Sequence, residues 1–166
     1  MGRRVRTGHL MKLFTYSALY GLFSVNYIDL AMEGSNVPGY HLWLLFSYFA
    51  PFVPLLLFVG LEDWGLVASL GLTVSLMNDL FYYPVGILMF QRSVNLIGWY
   101  SQQLGFKGFS SAGWTFDAGI FRVPVASWMM GLTIYLRIAI ILALTMKLYS
   151  HRAERSGCKH AMLRIE

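Results

Sequence analysis

Residues 42–61 form a run of twenty positions without one charged side chain, and that run decides what the chain can be. A helix of about 20 apolar residues matches the roughly 30 Å hydrocarbon core of a bilayer. Inside that core each backbone N–H and C=O must be satisfied within the segment or a closed barrel, which favours helices. Three other stretches share this character. Residues 64–90 carry only Asp79 as a charge, and residues 123–146 only Arg137. Residues 10–32 are weaker, with Lys12, Asn26 and Asp29 among apolar neighbours. Composition agrees: 57% of the chain is apolar and 13% charged, at a mean hydropathy of +0.55. A soluble domain carries about 25% charged residues and avoids broad exposed apolar patches. The expected fold is an all-α integral membrane protein of four transmembrane helices. It forms one membrane domain over residues 1–166, with spans at 10–32, 41–61, 64–90 and 123–147.

Charge placement orients these spans. Arg3, Arg4, Arg6 and Lys12 precede or begin the first, while Lys147, Arg152, Arg155, Lys159 and Arg164 follow the last. Nine of thirteen Lys and Arg residues therefore lie at the two termini, which an even number of crossings puts on one side. The positive-inside rule makes that side cytoplasmic, N-in and C-in, with residues 148–166 a basic cytoplasmic tail. These basic residues flank apolar spans, so topology explains them and nucleic acid is not an expected partner. A basic start also fits a cleaved signal peptide. The apolar stretch is too long for one and has no small-x-small cleavage site after it. Cys158, the single cysteine, has no intramolecular disulfide partner and sits in the basic tail, where palmitoylation is the alternative to a plain thiol.

Residues 91–122 then face outward. Val94, Ile97, Leu104 and the Trp99/Tyr100 pair oppose Asn95, Gln102 and Gln103, which predicts an amphipathic surface helix. Residues 105–119 are rich in Gly, Ser and aromatics and read as loop. Trp99, Tyr100, Phe106, Phe109, Trp114 and Phe116 suit the headgroup zone.

The third span has an inside. Ala68, Gly71, Ser75, Asn78/Asp79, Tyr82 and Gly86 recur at three- and four-residue steps, so they share one helical face. Small residues on such a face let helices approach closely, and the polar ones bond across the gap. A charge deep in a bilayer costs about 2.5–3.5 kcal/mol or more, so Asp79 and Arg137 must face inward and find partners. From helix rise, Asp79 lies roughly 9 Å and Arg137 roughly 16 Å below the outer edge. The arginine stem can span the difference. An Asp79–Arg137 pair is thus expected, either fixing helix register or lining a site.

Other polar groups converge at that depth. Asn26, Asp29 and Glu33 share a face of the first span. His41 opens the second, with Tyr48 two turns below it. Tyr82 continues outward from Asp79, and Pro84 removes a donor and leaves a carbonyl unbonded. Pro51 and Pro54 do the same in the second span. The expected binding residues are Asp79, Arg137, Asn78, Asn26, Asp29, His41 and Tyr82, around a polar chamber that opens outward. His41, Asp29, Glu33 and Asp79 are chemically able to ligate metal, but none shows a ligand spacing, and no metal or cofactor is assigned. Glu62-Asp63 reads as a solvated turn that starts the third helix.

No nucleotide-binding, zinc-hydrolase or serine-hydrolase motif occurs. His9, His151 and His160 lie outside the spans, which disfavours bis-histidine haem ligation, and no catalytic residue is assigned. First among the functional expectations is a small polytopic protein that binds or translocates a polar solute or ion as a homo-oligomer in the lipid bilayer. Second is an accessory subunit of a larger membrane complex. Third is an intramembrane enzyme acting on a lipid through a carboxylate–histidine site.

Overall fold

The computed structural model describes residues 7–32, 37–104 and 113–162. Glu33, Phe106, Phe109, Arg164 and the arginines at 3, 4 and 6 lie outside these residues. The described chain is mostly helical, and three helices are long and apolar enough to cross a membrane: Tyr40–Phe58, Trp64–Phe90 and Trp128–Leu148.

The first helical stretch runs as α1 (Thr7–Leu19), a π-helical segment (Tyr20–Val25) and α2 (Asn26–Met32). It is not among the three apolar helices, and the polar residues that dilute it turn into the protein: Ser17, Asn26 and Asp29 are all buried. At the π segment the backbone N–H of Asn26 reaches back five residues to Gly21 O. The Asn26 side chain then donates to the carbonyls of Gly21 (3.1 Å) and Leu22 (3.0 Å), so the widened turn is satisfied locally.

The second apolar stretch is broken by its prolines. α3 (Tyr40–Phe49) gives way to a turn and a 3-10 segment (Val53–Leu55) before the short α4 (Leu56–Val59). Pro51 and Pro54 cannot donate to a helical ladder, and the backbone leaves the α-helical register there. Gly60 at φ 88° ends the stretch, and a second 3-10 turn (Leu61–Asp63) starts α5 (Trp64–Phe90).

α5 is the central helix. Just over half of its apolar window, 56%, is buried, against 11% in each of the other two apolar helices. It packs against α1, the π segment, α2, α3 and α7 (Ser127–Met162). The small residues set the spacing. A Cβ on Gly71 would collide with the Phe49 ring, and one on Gly21 would lie 2.6 Å from Val74 O. Gly71, Ser75, Asn78 and Gly86 are buried, so the stripe does face the bundle.

α5 and α6 (Leu96–Gln103) are joined through the proline. Pro84 has no N–H to give Leu80 O, and the Tyr100 hydroxyl donates to that carbonyl instead. Burial raises the Tyr100 phenol above its ordinary pKa. Asn95 caps α6, accepting from Gly98 N at 2.9 Å. Tyr83 and Trp99 meet edge to face at 4.7 Å. Ile97, placed by its spacing on the apolar face, points away from the protein and is 77% exposed.

The largest departure from the sequence reading follows α6. Residues 113–117, expected as loop, and 123–126, expected to begin the last span, instead form an antiparallel hairpin of β1 (Gly113–Asp117) and β2 (Arg122–Ala126). The last span therefore starts with α7 at Ser127. Gly119 takes φ 81° in the turn, and its N–H donates to Asp117 Oδ1 at 2.7 Å. Pro124 is tolerated because a two-stranded ribbon has an unpaired edge. α7 is 36 residues long, about 54 Å, so it continues well past the thickness of a bilayer core.

Candidate functional site

Two layers of polar contact meet on α5. In one, Asp79 receives Arg137 from α7 in an ion pair whose side chains are only 18% and 12% exposed. The guanidinium has three further hydrogen bonds. Its Nη1 donates to Ser75 Oγ at 2.7 Å, one turn below Asp79, and its Nε donates to Thr133 O at 3.0 Å. Nη2 also reaches Thr133 Oγ1 at 3.1 Å. The i, i+4 spacing of Ser75 and Asp79 matches the fork of the guanidinium, and Thr133 holds its stem from α7.

In the other layer, Asn78 Nδ2 donates to Asp29 Oδ2 on α2 at 2.9 Å and contacts the Tyr48 hydroxyl on α3 at 3.3 Å. The Tyr40 hydroxyl donates to the other oxygen of Asp29. Asn78 and Asp79 are consecutive on α5, so the two layers adjoin and form one centre. Asn26 joins from the π segment, its Nδ2 reaching Met77 O at 3.4 Å.

This centre has unfinished hydrogen bonding. Asn78 is 2% exposed and Asn26 0%, yet the Oδ1 of each accepts no hydrogen bond from the described residues. A buried acceptor left without a donor costs about 1–3 kcal/mol. Two such acceptors leave the centre short of hydrogen-bond donors among the described residues.

Of the residues the sequence nominated, the structure brings Asp79, Arg137, Asn78, Asp29 and Asn26 together. The described contacts of His41 and Tyr82 run to other groups. His41 Nδ1 accepts the backbone N–H of Asp117 in the hairpin at 2.8 Å, and its ring packs 5.1 Å from that of Phe116. As an acceptor, Nδ1 carries no proton. Tyr82 stacks edge to face on Tyr83, with the Arg92 guanidinium 5.9 Å above its ring. The expected chamber is, in this conformation, a buried cluster: Asn26, Asp29, Asn78 and Tyr48 are all less than a tenth exposed.

Tyr40 was missed by sequence reasoning. The signal for it was weak, because Tyr40 and His41 are adjacent at a helix start and either can turn inward. The structure sends Tyr40 to Asp29 and His41 to the hairpin. The hairpin is anchored further by Gly39 and Gly119, both at positive φ, where a Cβ on Gly119 would sit 3.2 Å from Gly39 N. Asp117 is held below the ordinary carboxylate range, first by the Gly119 N–H, then by the Arg122 charge 3.2 Å away and the Gly39 N–H.

Among the described residues no group of three or more His, Cys, Asp or Glu side chains could hold a metal ion. Comparison with protein-family models, with curated proteins and with solved structures finds no match.

Proposed function

We propose that this chain is a small polytopic membrane protein that binds or translocates a polar solute or ion at the centre formed by Asp29, Asn78, Asp79 and Arg137. The observation that carries the reading is that the buried amide oxygens of Asn26 and Asn78 accept no hydrogen bond from the described residues, in a layer where the Asn78 amide nitrogen meets Asp29. A polar layer that served packing alone would close such acceptors against donors.

Four crossings with both termini cytoplasmic go with this reading. The stretch from Thr7 to Met32 is helical over 26 residues, about 39 Å, which exceeds the bilayer core. Its polar residues face α5, and the basic residues gather at the two termini. His41 and the hairpin would then lie at the outer end of the bundle.

The test is flux. The purified chain is reconstituted into liposomes carrying ion or pH gradients, with internal dyes as reporters. Wild type should dissipate at least one gradient, and Asp79→Asn should abolish that activity while remaining folded. A well-folded wild type that dissipates none contradicts translocation, and a fully active Asp79→Asn contradicts the assignment of the site.

A second reading, an accessory subunit of a larger membrane complex, has its own support. The outward faces of α3 and α7 are broad and apolar, with Phe46, Leu132, Leu136 and Met146 all exposed. Lipid covers such faces in a self-sufficient protein and another subunit covers them in a complex. Co-purification from native membranes with a stoichiometric partner, and Asp79→Asn affecting only assembly, would favour that reading.

A further inference from the structure

Resting on the bilayer-spanning part of the reading above, we infer that the turn of the β1–β2 hairpin is a lipid-contact wedge. Ile120 and Phe121 enter the outer leaflet, and Arg122 engages a lipid phosphate. Turns between strands favour Gly, Asn, Asp, Ser and Pro. Here two large apolar side chains follow Gly119, Ile120 at 89% exposed and Phe121 at 53%. An apolar pair held out in this way is stabilised by leaving water.

The fold sets the level of this turn. On one side it rests on the start of α3. Ala118 is buried, and its carbonyl oxygen lies 3.5 Å from where a Cβ on Gly39 would stand. Asp117 N donates to His41 Nδ1 at 2.8 Å, which ties β1 to the same helix end. On the other side, Ala126 of β2 runs directly into Ser127, the first residue of α7. The ribbon is therefore strapped between the ends of two membrane-crossing helices and lies near the level at which they leave the bilayer. Leu42, Trp43 and Phe46 of α3 are all exposed. Trp43 is four residues from Gly39, about 6 Å along the helix, so lipid begins close to the residue on which the turn rests.

The turn is also held in shape. Ala118 N donates to Phe121 O at 3.0 Å, and Gly119 takes its positive φ, so Ile120 and Phe121 are presented by a closed backbone. Charge completes the match. The Arg122 side chain is 76% exposed and meets Asp117 Oδ2 through Nη2 at 3.2 Å. A guanidinium carries five donors, which leaves others for a phosphate that arginine binds in a fork. An apolar tip followed by a long cationic stem is the pairing that spans the boundary between acyl chains and headgroups.

The experiment measures depth by electron paramagnetic resonance. The full chain, with Cys158→Ser to remove its single cysteine, carries a nitroxide at Ile120→Cys or, separately, at Phe46→Cys. Both are reconstituted into phosphatidylcholine–phosphatidylglycerol vesicles. Collision with oxygen and with a water-soluble nickel chelate is calibrated against lipids labelled at known depths. The label at 120 should favour oxygen and lie about 5 Å below the headgroups, where interfacial apolar side chains settle. Arg122→Gln should bring it measurably closer to water. A label at 120 that meets the chelate as freely as a headgroup label overturns the inference, and a depth unchanged by Arg122→Gln overturns the phosphate contact. The parent reading fails separately: a chelate-accessible label at 46 refutes the second crossing itself, whereas a deep label at 46 beside a water-exposed label at 120 refutes only the wedge.

Discussion

Asn78 and Asp79 are consecutive on α5 yet face different helices, with Asn78 donating to Asp29 of α2 at 2.9 Å and Asp79 receiving Arg137 of α7. One residue advances a helix by about 100°, so neighbours on α5 point to different flanking helices. The polar centre is therefore built across three helical segments around one turn of α5, with Tyr48 of α3 beside it.

Removing one member of the ion pair should cost far more than removing both. Arg137→Leu leaves a buried carboxylate without its cation and should destabilise by about 3–5 kcal/mol. Asp79→Leu combined with Arg137→Leu should recover most of that loss, because an apolar pair needs no desolvation. Thermal unfolding of the two single variants and the double variant in the same detergent checks it.

Tyr100 and Pro84 should behave as a coupled pair. Tyr100→Phe strips the donor from Leu80 O and should cost about 1 kcal/mol. With Pro84→Ala in the background, residue 84 can donate to Leu80 O itself, and Tyr100→Phe should become nearly neutral. A double-mutant cycle on unfolding midpoints measures the coupling.

The close approach of α3 to α5 rests on Gly71. Gly71→Val should force the Phe49 ring from its place and destabilise by about 1–3 kcal/mol. Phe49→Leu in the same chain should recover part of the loss by opening room for the new side chain, as unfolding midpoints would show.

Two groups give the hairpin different pH limits. The Asp117 carboxyl has a lowered folded pKa, so its contribution is complete above the unfolded value of about 3.9 and is lost only as pH falls below that. His41 must keep Nδ1 unprotonated to accept the Asp117 N–H. Loss of Asp117 amide protection at mildly acidic pH, above the carboxylate range, should therefore belong to His41. Hydrogen exchange corrected for its intrinsic pH dependence should show this in wild type and not in His41→Gln, which retains an acceptor.

Much of this arrangement was legible in the residues. The stripe on residues 68–86 stands out because a three- and four-residue period of small and polar side chains has no other use in an apolar helix. Asp79 and Arg137 were legible as partners because charge inside a bilayer is expensive enough to force pairing. The hairpin was not, since Trp114-Thr115-Phe116 is too short an alternation to stand out in a Gly- and Ser-rich stretch. Val123 and Val125 also merge with the apolar run behind them. Nor was the role of Tyr40, because an aromatic with a hydroxyl is equally at home in the headgroup zone and in the core. The π segment left no sequence mark beyond Asn26, whose side chain serves the widened turn.

The most direct measurement of the central claim is gradient dissipation by liposomes containing the Asp79→Leu/Arg137→Leu double variant, beside its unfolding midpoint. If the centre is a site of binding or translocation, stability should return close to wild type while flux is lost. A double variant that is stable and dissipates gradients as wild type does would reduce the pair to packing and contradict the proposed function.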